Sequence, residues 1–337
     1  MGSFLSSLFA IILWIPFGIA GWVGYGFDTI KNKEFSILEP GIVYSSKQAE
    51  SLGLQATSTF LAIVNELQPR YIRLVAYWDR IEKTRGVYDF SEIDEYFKIA
   101  QDRDMKVTLI IGEKVPRWPE CHVPEWVRGT DPNEHFGKLK EYMATLIKRY
   151  APSRSLEYWQ VENELFFKFG DCPKPSAKEF QDELKLVRSI DPNHPVLVTG
   201  SGEMSTWLRP FWYGDAAGIS LYREAVFKTR WFSWRVSYPL PPLFYGYKAR
   251  VMSALFGKIL MVTELQLEPW FTEDLKSVSI KEQMATLSPQ KFEKSVMYAA
   301  QTRIPRVYLW GVEWWYWLNE QGVDSYWSYV KKYVFKN

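Results

Sequence analysis

Two glutamates stand directly after apolar runs in the two halves of the chain. Glu164 closes the string QVENE at 160–164, and Glu264 closes the string LMVTE at 260–264. Each run is typical of a strand buried on both faces, so each carboxylate would project from a strand end. Two carboxylates that face each other can divide the chemistry between them, because one gives a proton while the other attacks or activates water.

The elements that would hold these glutamates alternate along most of the chain. Apolar, β-branched runs that predict strands are interspersed with stretches of helical hydrophobic spacing. The eight predicted strands cover 35–44, 69–77, 106–111, 156–161, 195–199, 216–221, 259–263 and 306–311. Eight βα units predict an α/β fold, a (β/α)8 TIM barrel, in which the carboxyl ends of all strands meet at one mouth. Both glutamates would then share that mouth.

We expect the barrel to occupy residues 35–337 as one catalytic domain. An aromatic, basic insertion at about 223–258 exceeds a minimal βα unit, and we interpret it as an extended loop followed by a helix at 247–256. This insertion would form a glycan-binding wall over the mouth or, alternatively, rest on a membrane interface. A loop after the sixth strand emerges at the catalytic face, which favours the wall.

The composition indicates one large folded core and excludes several classes of function. Of the 337 residues, 47% are apolar and 24% are charged, so the chain is not disordered. The 41 basic and 39 acidic residues leave a net charge of +2, without the excess typical of nucleic-acid binders. Two cysteines and three histidines provide neither a disulfide scaffold nor a zinc site, and no phosphate-binding glycine loop is present. We expect no metal, nucleotide or other cofactor.

An uncharged apolar segment at residues 2–27 precedes the barrel through a short linker at 28–34. The segment is long enough for a transmembrane helix. A cleaved signal peptide is the alternative, although its cationic start is missing. We expect a membrane-anchored protein with an extracytoplasmic catalytic domain, or a secreted one if the segment is removed. The positive-inside rule favours the opposite orientation, with the barrel in the cytoplasm, because Lys31 and Lys33 follow the segment.

The strand-end residues resemble those of the clan A glycoside hydrolases, a superfamily of retaining β/α-barrel enzymes. The resemblance extends over about 35–335. The matching features are Asn163 with Glu164, Glu264, the string YWDRIE at 77–82 with GVYDF at 86–90, Asp94, and Arg73 in the second strand. It implies that Glu164 is the general acid/base and Glu264 the nucleophile, while Asn163 binds the 2-hydroxyl of the substrate. Glu162 is the internal competitor of Glu164, and we expect it to form structural hydrogen bonds.

Three further residues match positions of the clan around the nucleophile. The resemblance implies that Arg73 and Tyr222 lie against Glu264. It also implies a tryptophan at the end of the eighth strand as the floor of the sugar site. Alternation along the strand from Trp310 favours Trp314 for that role.

The loop after the third strand, at 112–122, matches no clan family whose substrate can be transferred. It is dense in polar and aromatic side chains and lies on the predicted catalytic face. Its candidate substrate contacts are Glu113, Arg117, Trp118 and His122. Cys121 in this loop and Cys172 after the fourth strand would be neighbours on one face, so we expect a disulfide between them or two separate thiols.

We therefore expect a retaining glycoside hydrolase that acts on a β-linked oligo- or polysaccharide by double displacement. The strings at 160–164 and 260–264 are most similar to family 35 β-galactosidases, which favours an exo-acting enzyme slightly over a cellulase-like endo-glycanase. The alternatives are a transglycosidase with the same site and a membrane-anchored barrel that binds glycan without turnover. A Schiff-base lyase has less support, because Lys114 is the single lysine near a strand end.

Overall fold

Ten strands and twelve helices form the computed structural model of the protein, which describes residues 38–172, 176–228 and 233–335. The strands are β1 Glu39–Tyr44, β2 Tyr71–Val75, β3 Lys106–Ile111, β4 Leu156–Val161, β5 Val196–Gly200, β6 Ala216–Leu221, β7 Glu224–Lys228, β8 Ser233–Ser237, β9 Leu260–Gln266 and β10 Arg306–Trp310. Eight of them close into a parallel barrel in the order β1-β2-β3-β4-β5-β6-β9-β10. The remaining two, β7 and β8, pair as an antiparallel hairpin outside it.

Helices follow the barrel strands, as the βα alternation requires. They are α1 Ser46–Ser51, α2 Ala56–Leu67, α3 Trp78–Ile81, α4 Ser91–Asp102, α5 Pro132–Tyr150, α6 Ala177–Ile190, α7 Leu208–Tyr213, α8 Pro242–Phe256, α9 Ile280–Thr286, α10 Pro289–Gln301, α11 Val312–Glu320 and α12 Ser325–Tyr329. Local sequence sets several of their starts. Asp131 caps α5 just before Pro132, and Ser176 forms a capping box with Glu179 at the start of α6.

The interior of the barrel changes from apolar to polar beneath the mouth. One buried apolar cluster inside the barrel consists of Val43, Tyr71, Leu197, Ala216, Met261, Tyr308 and Trp310. Because side chains alternate along a strand, Arg73 points to the same face of β2 as Tyr71. Arg73 and Gln160 of β4 are fully buried and hydrogen-bond each other across the interior. They form a polar layer directly below the candidate site.

All eight predicted barrel strands are present, which confirms the (β/α)8 prediction. The aromatic insertion differs from its prediction in two respects. Its first part is the hairpin of β7 and β8 instead of an irregular loop, and α8 begins at Pro242, five residues before the predicted start at 247. Pro242 stands in the first turn of α8, where proline is favoured because no intrahelical N–H is lost.

The predicted anchor at 2–27 and the linker at 28–34 lie outside the described residues. Of the helices within residues 38–172, 176–228 and 233–335, none is both long and apolar enough to cross a membrane.

Candidate active site

A β-bulge in β9 sets the position of Glu264. Relative to both β6 and β10, β9 contains one additional residue between Val262 and Leu265. Such a bulge bends the strand and redirects the side chains that follow it. The Glu264 carboxylate is 6% exposed; its Oε1 accepts a hydrogen bond from Arg73 Nη1 at 2.9 Å, and its Oε2 accepts one from the Tyr222 hydroxyl at 3.2 Å. Both carboxylate oxygens are thus held in place by donors.

Arg73 links the nucleophile candidate to the end of β4. Besides Glu264, its guanidinium donates to Gln160 Oε1 at 2.7 Å and to Asn163 Oδ1 at 2.9 Å. Oδ1 of Asn163 is occupied in this way, and the Nδ2 amide group donates to Glu120 Oε2 at 3.5 Å with one of its two N–H bonds. A planar, fully buried guanidinium with three side-chain acceptors fixes the relative position of β4 and β9.

Glu164 lies three residues past the end of β4, with its backbone in the left-handed region at φ 45°. Its N–H donates to Thr199 Oγ1 at 3.0 Å, which anchors this conformation. Within the described part of the chain, its buried Oε1 has no hydrogen-bond partner. Burial and then the negative charge of Glu264 raise the pKa of Glu164 to about 7. A carboxyl with this pKa is protonated well above the usual range and can give its proton to a bound group.

A third carboxylate, Glu120, lies in the same site and was missed by the sequence analysis. It is buried, its Oε2 lies 3.2 Å from Lys114 Nζ, and it accepts a hydrogen bond from Asn163 Nδ2 at 3.5 Å. Burial raises the pKa of Glu120 to about 7, against the opposing charge of Lys114 and with the added effect of Glu264. The one sequence feature that pointed to Glu120 was the density of polar residues at 112–122, because Glu120 neither ends a strand nor belongs to a spaced motif.

Lys114 is held between Glu120 and β4, which argues against a Schiff-base role. Its Nζ donates to the Asn163 carbonyl at 2.8 Å. Burial alone would lower the pKa of Lys114, but the nearby Glu120 and Glu164 carboxylates outweigh burial and raise it. A protonated ammonium group is not a nucleophile.

The loop at 112–122, called the β3 loop below, is clamped by Glu162. The Glu162 carboxylate accepts the backbone N–H groups of Glu113 at 3.0 Å and Lys114 at 2.6 Å. The carboxylate fills the space beside Gly112, because a Cβ added to Gly112 would lie 2.2 Å from it. Gly112 also has a φ of 123°, a backbone conformation that favours glycine. Glu162 therefore has the structural hydrogen bonds that we expected of it. Its pKa is raised to about 8, chiefly by burial.

Arg117, at the tip of the β3 loop, is buried and forms two ion pairs. Its Nη1 pairs with Glu268, and its Nη2 lies 3.1 Å from Glu313 Oε2. Its guanidinium also stacks on the Trp310 ring, 3.9 Å from the ring centroid. The N–H of the Trp310 indole donates to Glu268 Oε1 at 2.7 Å. Arg117, Glu268 and Trp310 thus form one cluster at the end of β10.

Trp310, and not Trp314, lies at the end of the eighth barrel strand. The prediction of Trp314 as the floor was wrong because the strand ends at Trp310 and Gly311, with φ 107°, turns the chain into α11. Strand alternation therefore does not continue to residue 314. The Trp314 ring is fully buried, packs against Tyr326 and donates to Gln283 Oε1 at 2.6 Å.

Two of the four predicted substrate contacts in the β3 loop face the protein instead, which corrects those assignments. His122 is 1% exposed, with Nδ1 2.7 Å from Lys47 Nζ and Nε2 3.0 Å from the Arg117 carbonyl. Burial and then the Lys47 charge lower its pKa to about 4, so it is neutral near pH 7. The Glu113 carboxylate pairs with His135 of α5. Lys47 belongs to α1 and His135 to α5, so both side chains are held by helices beside the loop.

Trp118 is 66% exposed and stands at the rim of the mouth. Its ring lies 5.9 Å from that of Phe169, and the Phe169 ring lies 5.4 Å from that of Trp270. The Trp270 ring in turn lies 5.6 Å from that of Tyr222, which contacts Glu264. A row of aromatic rings therefore leads from the outer loop to the nucleophile candidate.

Cys121 and Cys172 are both free thiols in the structure, so the expected disulfide is not formed there. The two loops are neighbours as expected, because the Cys121 side chain hydrogen-bonds Cys172 and, together with burial, raises its pKa. Within residues 38–172, 176–228 and 233–335, no group of three or more His, Cys, Asp or Glu side chains could hold a metal ion.

Known proteins match both the sequence and the fold. Residues 52–182 match glycosyl hydrolase family 10. β-Galactosidase BgaA of Clostridium cellulovorans is 23% identical over 167 residues, which cover 43% of this chain and 25% of that protein. This chain thus matches about a quarter of that relative's length.

Solved barrels of glycoside hydrolases superpose on most of this chain. Xylanase 10B from Thermotoga petrophila RKU-1, in complex with xylobiose, has a TM-score of 0.57 at 13% identity and covers 85% of this chain and 86% of its own. The GH5_18 protein from Streptomyces cattleya, in complex with GlcNAc, has a TM-score of 0.53 at 15% identity. The match covers 80% of this chain and 69% of that protein's chain. At such identities the likeness concerns the fold. Together with the family 10 match inside a closed eight-stranded barrel, it shows that this chain has a (β/α)8 barrel similar to those of glycoside hydrolases.

Proposed function

We propose that the protein is a retaining β-glycosidase in which Glu264 is the nucleophile and Glu164 the general acid/base. The observation that carries the proposal is the unequal environment of the two carboxyl groups. Glu264 accepts hydrogen bonds from Arg73 and Tyr222, whereas Glu164 Oε1 is buried without a partner among the described residues, and burial and Glu264 raise the pKa of Glu164 to about 7. Two carboxyl groups in such different surroundings suit the separate roles of an acid and a nucleophile.

The first step of this mechanism forms a covalent intermediate. A Glu264 oxygen attacks the anomeric carbon, while Glu164 transfers its proton to the leaving oxygen and the glycosidic bond breaks. Retention requires the two carboxyl groups to be about 5–5.5 Å apart. Asn163 has its Oδ1 occupied by Arg73, so its Nδ2 would donate to the 2-hydroxyl of the sugar.

The second step reverses the roles. Once Glu264 is esterified, its negative charge is gone and the pKa of Glu164 falls, so that Glu164 can take a proton from water. Water then attacks the anomeric carbon, the ester bond to Glu264 breaks, and the sugar leaves with its original configuration. A sugar hydroxyl in place of water would make the same site a transglycosidase.

The proposed substrate is a neutral β-linked glycan, and β-galactosides are the first compounds to test. The support is the local similarity of the strings at 160–164 and 260–264 to family 35 β-galactosidases, together with the curated relative that is named a β-galactosidase. Xylose-based substrates come second, because the family 10 match and the xylanase barrel point to them.

Trapping with a panel of 2-fluoro β-glycosides tests the proposal directly. We expect stoichiometric labelling, and peptide mapping should place the label on Glu264. Glu273→Gln is the matched control, because Glu273 is exposed in the loop that follows β9 and the variant should be labelled like the wild type. A label on Glu268 or Glu120, an inverted product in NMR, or no label across the panel would refute the assignment. The last result would favour a glycan-binding barrel without turnover.

We also propose that residues 2–27 anchor the protein to a membrane with the barrel on the extracytoplasmic side. The support is the absence of charged side chains in this segment. Membrane fractionation and protease protection of the full chain test this, and an N-terminus found cleaved after about residue 20 would indicate a signal peptide instead.

A further inference from the structure

The β3 loop reaches across the whole mouth of the barrel. In the strand order, β9 is four strands from β3 in either direction, so the two are diametrically opposite. Arg117 of the β3 loop nevertheless pairs with Glu268, which directly follows β9, and with Glu313 of α11. A second contact also crosses the mouth, because Phe169 after β4 packs against Trp270 after β9.

The crossing is a fixed part of the structure and not a loosely packed lid. Inside the β3 loop, the N–H of Val115 donates to the Glu120 carbonyl at 2.9 Å, and that of Glu120 donates to the Arg117 carbonyl at 2.7 Å. Glu313 is fully buried, and Arg117 is 8% exposed. Withdrawing Arg117 would leave a buried, unpaired carboxylate, which is strongly unfavourable.

The cluster lies on the side of the mouth away from Glu164. In the strand order β10 is four strands from β4, so Trp310 and Glu164 stand at opposite ends of a diameter. Glu164 protonates the leaving oxygen in the proposed mechanism, so the aglycone lies on the β4 side and the glycone toward Trp310. A sugar chain that continued past the reacting residue would meet Arg117 and its two carboxylate partners.

The same cluster offers unused hydrogen-bonding atoms. Among the described residues, Arg117 Nε and Glu268 Oε2 are buried atoms without a hydrogen-bond partner. One is a donor and the other an acceptor, and both side chains adjoin the Trp310 ring. Buried polar atoms of this kind are costly unless a partner arrives, and sugar hydroxyls both accept and donate.

We infer that the site is a blind pocket for a single sugar, the non-reducing terminal residue of a β-linked chain, whose outer hydroxyls bind Arg117 and Glu268. This inference rests on the proposed glycosidase function and makes the enzyme exo-acting. The aglycone side remains lined by Trp118 and Phe169, where the rest of the chain can stack.

Product analysis of reducing-end-labelled pentasaccharides tests the inference. The probes are β-1,4-linked galacto-, xylo-, manno- and cello-pentaose, with the full-length enzyme. We expect the monosaccharide and a labelled tetrasaccharide as first products, and no early loss of viscosity with the polymer. Early labelled di- and trisaccharides would overturn the inference while leaving the glycosidase proposal intact. No cleavage and no 2-fluoro glycoside label would overturn both.

The second arm of the test uses variants of the cluster of Arg117, Glu268 and Trp310, which we call the cap. Arg117→Ala should reduce terminal cleavage about tenfold or more, the cost of losing a charged hydrogen bond, and should let internal fragments appear. Arg128→Ala is the control, because Arg128 is an exposed arginine just after the same loop whose partner is Glu125. Arg117→Ala with an unchanged product pattern would contradict the cap. If this variant does not fold, the wild-type product pattern still decides.

Discussion

Nη1 of Arg73 lies 2.9 Å from Oε1 of Glu264, and the two side chains are 0% and 7% exposed. The pair joins β2 to β9 across the barrel interior, and the same guanidinium donates to Asn163, the neighbour of Glu164. A buried arginine with these partners gives the Glu264 carboxylate a counter-ion and sets its position relative to the end of β4. The chemistry of the site therefore depends on a residue that, in the proposed mechanism, makes no bond to substrate.

Replacing Arg73 should impair both stability and turnover. Arg73→Met leaves Glu264 buried without its counter-ion, and we expect a loss of about 3–5 kcal/mol in the free energy of unfolding. Arg149→Ala, which breaks the exposed pair with Asp94, should cost about 1 kcal/mol or less. Denaturant unfolding and kcat/KM measure the two effects. Equal losses for the two variants would contradict the role of Arg73.

The activity should decline as the pH rises through about 7. Glu164 must be protonated to act as the acid, and its pKa is raised to about 7 by burial and by Glu264. Above that pH the protonated fraction falls, and kcat/KM should decrease about tenfold per pH unit. The Glu264→Gln variant removes the neighbouring negative charge, so the pKa of Glu164 should fall in a carbon-13 NMR titration. An unchanged pKa would show that Glu264 does not act on Glu164.

Two tryptophans four positions apart should respond differently to mutation. Trp310→Ala removes the ring at the end of β10 that we propose as the floor of the sugar site, and it should reduce kcat/KM about tenfold or more. Trp314→Phe leaves the Gln283 amide oxygen without its donor and should cost about 1–3 kcal/mol of stability, with little change in KM. Thermal unfolding and aryl-glycoside kinetics distinguish these effects. A large KM change from Trp314→Phe alone would reverse the assignment.

Gly112 and Gly137 form a matched pair of glycines. Gly112→Ala puts a Cβ 2.2 Å from the Glu162 carboxylate, at a residue whose φ is 123°. We therefore expect a loss of about 1–3 kcal/mol in the free energy of unfolding and a displaced β3 loop. Gly137→Ala, within α5, meets nothing within 4 Å and should gain about 0.5–1 kcal/mol from helix propensity. Urea denaturation compares the two variants. A stabilising Gly112→Ala would show that the Glu162 clamp is dispensable.

Hydrophobic periodicity and composition were sufficient to predict the (β/α)8 barrel. Each βα unit is a local pattern, and a strand buried on both faces can be recognised from its own residues. The same local patterns predicted that Glu164 and Glu264 lie near strand ends, although β9 continues for two residues past Glu264. Their roles came from resemblance to a clan, and they remain a proposal that the labelling experiment tests.

Tertiary structure alone decided the contacts that give the site its character. Strand alternation pointed to Trp314, but the turn at Gly311 made Trp310 the last strand residue. The β3 loop looked like a set of substrate contacts, yet it folds so that His122 faces inward and Arg117 crosses to Glu268. Sequence spacing specifies neighbours along one element, whereas ion pairs across a barrel mouth join residues far apart in the chain. The sequence by itself determined the scaffold and its two glutamates, and the packing of distant loops determined how closed the site is.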